Sequence, residues 1–118
     1  MANDKDFIVK SAVEVGKDIK VTLGAISSSN IDLSTGNYFS DTLAANTTYT
    51  ISNAGDVQSF QLEVTGASTY TITWPSSIEW AGGIAPAAPA NGETDVFTFT
   101  TDDGGTTYVG VKTADNLS

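Results

Sequence analysis

The 118-residue chain contains no cysteine, no histidine and no arginine, only three prolines and a single methionine. Without cysteine there is no disulfide framework, no thiolate nucleophile and no thiolate zinc site. Without histidine as well, the Ser-His-Asp triad, the Cys-His pair and the ordinary zinc hydrolase site are excluded. No run of apolar residues reaches the length of a membrane span, and Met1-Ala2-Asn3-Asp4-Lys5 does not open a secretory signal. Positive charge is scarce and lopsided: the five lysines are Lys5, Lys10, Lys17, Lys20 and Lys112. Residues 21–111 therefore carry nine acids and no cation, while residues 1–20 balance four lysines against four acids. An acidic body of this kind repels a phosphate backbone, so the expectation is no nucleic-acid partner and no membrane partner.

What the chain has in quantity is threonine (17) and serine (12), a quarter of all residues, with 11 glycines. That composition favours strands and turns over helices. Apolar residues alternate with polar ones through Ile19/Val21/Leu23, Phe60/Leu62/Val64, Tyr70/Ile72/Trp74 and Phe97/Phe99. Period-two alternation places one face of each strand on a core and the other in water. The expected fold is all-β, an antiparallel β-sandwich, with the jelly roll among the topologies that fit.

Turn residues divide these runs. Asp102-Asp103-Gly104-Gly105 predicts a hairpin between 96–101 and 106–111, and Thr65-Gly66-Ala67-Ser68 predicts another. Ala44-Ala45-Asn46 separates a third pair of runs, and Ala81–Thr94, with Pro86 and Pro89, reads as a long surface loop. No tandem repeat, heptad or collagen triplet is evident, so no fibre shaft is expected. Ser27-Ser28-Ser29-Asn30 marks off the N-terminal part. The division is a docking arm over residues 1–24 and a sandwich domain over 25–118. Phe7, Ile8, Val9 and Lys10 are the arm's docking residues, because an apolar run near a terminus gains most from pairing with a partner.

Candidate sites are few. Glu79 and Glu93 flank the long loop and are the best available carboxylate pair for glycoside hydrolysis, though solvated surface acids explain them more simply. The expectation is no enzymatic activity, no catalytic residue and no cofactor. Asp102 and Asp103 with Gly104 and Gly105, or Glu93 and Asp95, offer hard oxygen ligands for calcium, against the simpler role of Asp-Asp-Gly-Gly in the hairpin turn. Trp74 continues a core alternation. Trp80 opens the loop, either as an exposed aromatic for a sugar or a partner protein, or as a cap on the end of the sandwich. Asn46-Thr47-Thr48 and Asn116-Leu117-Ser118 match the glycosylation sequon, as chance allows in so Thr/Ser-rich a chain.

Several stretches resemble a module of virion structural proteins in tailed bacteriophages, including cyanophages. They are Leu33–Phe39, Ala45–Ala54, Gln58–Gly66, Tyr70–Ser77 and Phe97–Tyr108, with Asp6–Lys10 similar to the opening of phage fibre proteins. The resemblance implies a β-sandwich displayed on a particle, with no catalytic residues. Its partners would be other virion proteins, the major capsid protein or tail components. A compact module without a shaft suits a head decoration or cement protein, trimeric or single at lattice junctions, ahead of a tail-fibre or tail-tip component. A free carbohydrate-binding module is the remaining alternative.

Overall fold

A computed structural model describes residues 23–118, and the docking residues Phe7, Ile8, Val9 and Lys10 lie outside them. The chain is all-β, as its alternation requires. Its strands are β1 (Ile26–Ser27), β2 (Asn30–Asp32), β3 (Tyr38–Thr42), β4 (Thr47–Thr48), β5 (Thr50–Ser52), β6 (Gln58–Thr65), β7 (Ile72–Thr73), β8 (Ile78–Trp80), β9 (Thr94–Thr101) and β10 (Tyr108–Leu117). They form a five-stranded sheet ordered β3-β6-β9-β10-β8, a three-stranded sheet β1-β2-β5 and a two-stranded sheet β4-β7. The core lies between their inner faces, an arrangement compatible with a sandwich.

The long antiparallel pairs, β6 with β9 and β9 with β10, are at the centre of the large sheet. Four other pairings are parallel: β8 beside β10, and three that follow one plan. The chain runs β2, β3, β4, one strand in each sheet, and then β5, β6, β7 beside them in the same order. Ile31 lies beside Ile51, Phe39 beside Leu62 and Thr47 beside Ile72, offsets of 20, 23 and 25 residues. Residues 30–73 thus make a two-turn, three-sided coil. Parallel neighbours need a crossover of about a dozen residues, and here the other two sides of the turn supply it. The order is not that of a jelly roll, whose paired strands are antiparallel.

Two antiparallel strands close the coil. β1 folds back on β2 through Ser28 and Ser29, both at positive φ (52° and 63°), a two-residue turn whose twist suits a hairpin. The Ser27–Asn30 stretch is therefore a hairpin inside the fold rather than a boundary between arm and body. Leu23 and Gly24 also belong to the fold: Leu23 bridges Tyr38, and the Gly24 N–H donates to the Tyr38 carbonyl at 2.7 Å. At the other end β9 covers β6, from Gln58 opposite Thr101 to Thr65 opposite Thr94.

The Asp102–Gly105 hairpin forms as its residues dictate, joining β9 to β10. The Thr65–Ser68 hairpin does not. β6 and β7 belong to different sheets, because at Gly66 the chain turns a corner of the coil instead of reversing. An added Cβ at Gly66 would lie 2.2 Å from the Pro89 carbonyl oxygen, so this corner is pressed against the long loop. Ala44-Ala45-Asn46 is likewise a corner, between β3 and β4, and the Asn46 Oδ1 accepts the Thr71 N–H of the next turn at 3.0 Å. Other corners stack in the same way: the Asp32 carboxylate accepts the Ser34 N–H at 3.0 Å and the Asn53 amide at 2.9 Å.

Inside, Ile31, Leu33, Phe39, Leu43, Tyr49, Phe60, Leu62, Val64, Phe97 and Phe99 are all buried. Phe60 stacks on Phe99 with centroids 4.9 Å apart and meets Phe39 edge-on at 5.9 Å. Burying side chains of this size contributes roughly 1.5–3 kcal/mol each. The core thus binds the coil to its β9 cap.

Candidate functional site

One groove stands out among the described residues, about 680 Å³ in volume, at the seam where the small sheet β4-β7 meets the β8 edge of the large sheet. Its origin is local. Pro75 has no N–H to continue the β7 ladder, so the chain leaves the sheet after Trp74. The Ile78 N–H donates to the Pro75 carbonyl at 3.2 Å, and the Tyr108 N–H holds the Ser77 carbonyl at 3.0 Å. This turn brings Trp74 and Trp80, six apart in sequence, ring to ring at 5.1 Å and 65°.

Of the two readings of Trp80, exposed aromatic or cap on the end of the sandwich, its burial favours the second. Trp80 is half-buried, edge-on to Trp74, Phe97 and Phe99 at 5.1, 6.1 and 5.5 Å. Trp74 is half-buried too, 4.9 Å from Phe97 and 5.5 Å from Tyr49. Its indole N–H donates to the Pro86 carbonyl at 3.3 Å, which fixes the long loop as the groove's far wall. That loop begins with a short 3-10 turn, Ala81–Gly83, in which Gly82 and Gly83 both take positive φ. Ile84 follows, 79% exposed.

None of the thirteen residues lining the groove is ionisable. Indole, isoleucine, alanine and proline surfaces alternate there with the hydroxyls of Thr71, Thr73 and Ser76. The groove can therefore hold an apolar or neutral group, and its lining offers hydroxyls but no ionisable acid or base.

The other candidates are not brought together. Glu79 is exposed in the middle of β8, level with Val109 and, across β10, with Thr100. Glu93 precedes β9 at its opposite end, seven residues from Thr100, which at the rise of a strand is about 24 Å. A glycosidase pair needs roughly 5–9.5 Å, so these two carboxylates do not form one.

Asp103 is committed to its own hairpin. Its carboxylate accepts the Thr107 N–H at 2.9 Å, the Thr107 hydroxyl at 2.7 Å and the Thr101 hydroxyl at 2.9 Å. Those bonds, the Thr107 backbone first, hold its pKa down to about 2. Asp102 is exposed beside it, and no cluster of three acids able to hold a metal occurs among the described residues.

Two buried polar pairs went unread in the sequence. Tyr49, 1% exposed, donates its phenol to Asp41 at 2.7 Å. Asp95, also 1% exposed, accepts the Asn116 N–H at 2.9 Å and faces Lys112. Asp95 falls at an inward position of β9, where alternation predicts an apolar side chain. That break in the pattern was the available signal.

No helix among the described residues is long and apolar enough to cross a membrane. A scan against protein-family models, a search of curated proteins and a search of solved structures each found no match.

Proposed function

We propose that this chain is a structural protein of a tailed-phage virion, a decoration or cement protein seated on the outside of the head against the major capsid protein. The observation that carries the reading is where the resembling stretches fall. Leu33–Phe39, Ala45–Ala54, Gln58–Gly66, Tyr70–Ser77 and Phe97–Tyr108 contain β4, β5, β6 and β7 of the coil, the groove's first wall and the β9–β10 hairpin. The likeness is thus to the residues that build the module, not to a surface patch. An antiparallel strand covers one side of the coil at each end, β1 on β2 and β9 on β6, and the short coil that results favours decoration over a shaft-bearing fibre. The test is addition of the purified chain to empty capsids of the parent phage. Saturable, stoichiometric binding supports the reading. Binding to tails alone moves the chain to the fibre or tip, with a host receptor as its partner, and binding to neither overturns both.

A second reading, a carbohydrate-binding module, draws on the uncharged groove with two indoles and three hydroxyls. Its test is a panel of neutral glycans against the intact chain and Trp80→Ala. Binding lost in the variant would favour it over the virion reading.

A further inference from the structure

The groove lies between two unpaired strand edges. β7 is an outer strand of the two-stranded sheet and β8 is the last strand of the five-stranded one, and neither has a further strand partner among the described residues. Between these edges open the apolar faces of Ile72, Ile78 and Trp80. Unpaired backbone beside an apolar trough is the form of site that an added strand fills, with backbone bonds giving affinity and alternate side chains entering pockets.

We propose that this groove receives residues Phe7–Lys10 of a neighbouring copy, laid along it as an extended strand. The inference rests on the reading of the chain as a repeated structural module and deepens it by naming what links the copies.

Three observations select this occupant. The first is charge: residues 23–118 hold ten acids and one lysine, whereas residues 1–22 balance four lysines against four acids. An anionic partner is repelled and the N-terminal segment is not. The second is pattern. Phe7-Ile8-Val9 is the longest apolar run in residues 1–22, and in a strand Phe7 and Val9 share the face that would enter the trough. Lys10 then follows on the opposite face, the side on which β8 carries the exposed Glu79. The third is layout. Leu23 joins the fold at β3, the opposite edge of the large sheet from β8, four strand spacings or about 19 Å away. The thirteen residues from Lys10 to Leu23 span up to about 43 Å. With that reach the segment can arrive at its neighbour's groove or at its own, and signal loss between isotopically distinct copies distinguishes the two.

The absence of cysteine gives a direct test, because Asn3→Cys creates a single attachment point for a spin label. Unlabelled-isotope chain carrying the spin label is mixed with nitrogen-15 chain lacking it, so that only contacts between copies broaden signals. The expected result is selective loss of the Trp74 and Trp80 indole signals and of the Ile72 amide signal. The loss should disappear when the donor carries Phe7→Ser and Val9→Ser. It should also disappear when the acceptor carries Ala87→Arg, at an exposed position on the groove wall. No broadening overturns the proposal, and so does uniform broadening or broadening that survives the donor substitutions. Because no capsid is present, failure here is separable from failure to decorate a particle.

Discussion

Lys112 reaches across from β10 to place its ammonium 3.4 Å from the carboxylate of Asp95 on β9, where the acid is 1% exposed. A second carboxylate, Asp115, lies 3.1 Å from the same ammonium. Lys112 is the one lysine among the described residues, and it lies where the core would otherwise hold an unbalanced charge. Lys112 is itself 26% exposed, so its removal should cost less than breaking a fully buried pair, which costs about 3–5 kcal/mol. Lys112→Met is expected to cost about 1–3 kcal/mol in denaturant melts, and adding Asp95→Asn to recover much of it. Equal stability of Lys112→Met and the parent would show that water reaches Asp95.

Stability should fall above about pH 10, and Tyr49 should account for part of the fall. Burial raises the Tyr49 pKa well above its ordinary value of 10.0, with the Asp41 hydrogen bond adding to the effect. Lys112 is also raised: burial alone would lower it, but the Asp115 hydrogen bond and both carboxylates outweigh that. A group raised on folding stabilises the fold fully below its unfolded pKa and loses that contribution as pH climbs towards the folded one. Tyr49→Phe should therefore melt lower at pH 7, for loss of the Asp41 bond, and show a shallower decline between pH 10 and 12. Thermal melts across that window check it, and an unchanged slope would contradict it.

Asp103 acts at the acid end. Its pKa is lowered from 3.8 to about 2, so its contribution is present above about pH 4 and lost as pH falls towards 2. Asp103→Asn should flatten that part of the acid limb and lower the melting temperature at pH 7. Calcium should leave the melting temperature of the parent chain unchanged, since the Asp103 oxygens are already occupied by Thr101 and Thr107. A calcium-dependent rise abolished by Asp103→Asn would reinstate a metal site.

Gly66 and Gly110 should differ in their tolerance of a methyl group. At Gly110 a Cβ meets Ile78 Cγ2 at 2.8 Å and the Phe99 ring at 3.1 Å, side chains with some freedom to shift, so Gly110→Ala should cost about 1–3 kcal/mol. At Gly66 the obstacles are the carbonyl oxygens of Pro89 and Ala90 at 2.2 and 2.4 Å, which move only with the backbone. Gly66→Ala should cost more and should open the long loop to protease. Equal losses would mean that the loop yields as easily as a side chain.

Trp74→Ala and Trp80→Ala should both cost near the lower end of about 3–5 kcal/mol, since both rings are half-buried in one aromatic cluster. The difference between them should be about 1 kcal/mol, the worth of the Trp74 bond to Pro86. A much cheaper Trp80 would restore it to the surface.

The inward faces were legible in the sequence, because Phe60/Leu62/Val64 and Phe97/Phe99 alternate without interruption. The Asp-Asp-Gly-Gly hairpin was legible because its acids and glycines suit no other local structure. The coil was not. Its repeat drifts through 20, 23 and 25 residues, and only Ile31/Ile51, Thr42/Thr65 and Thr48/Thr73 are identical pairs among its stacked strands. Alternation reports which way a side chain points, not whether the next strand turns back or goes round a corner. The groove escaped for a related reason. Trp74 and Trp80 meet only because a Pro75 turn folds the chain between them, and spacing along a straight strand says nothing about that.

The opposed directions of β1 and β9 have a consequence for how such a molecule can change size. Neither end accepts a whole further turn, since on one side of each a strand arriving there would have to stack on one that runs the wrong way. Growth must come from within: a segment of some 20–25 residues inserted between β4 and β5 would find a parallel neighbour above and below on every side. Both termini and both end strands would remain as they are. Lineages of this architecture should therefore differ in length by whole internal turns, their ends staying recognisable while the middle is counted out in different numbers.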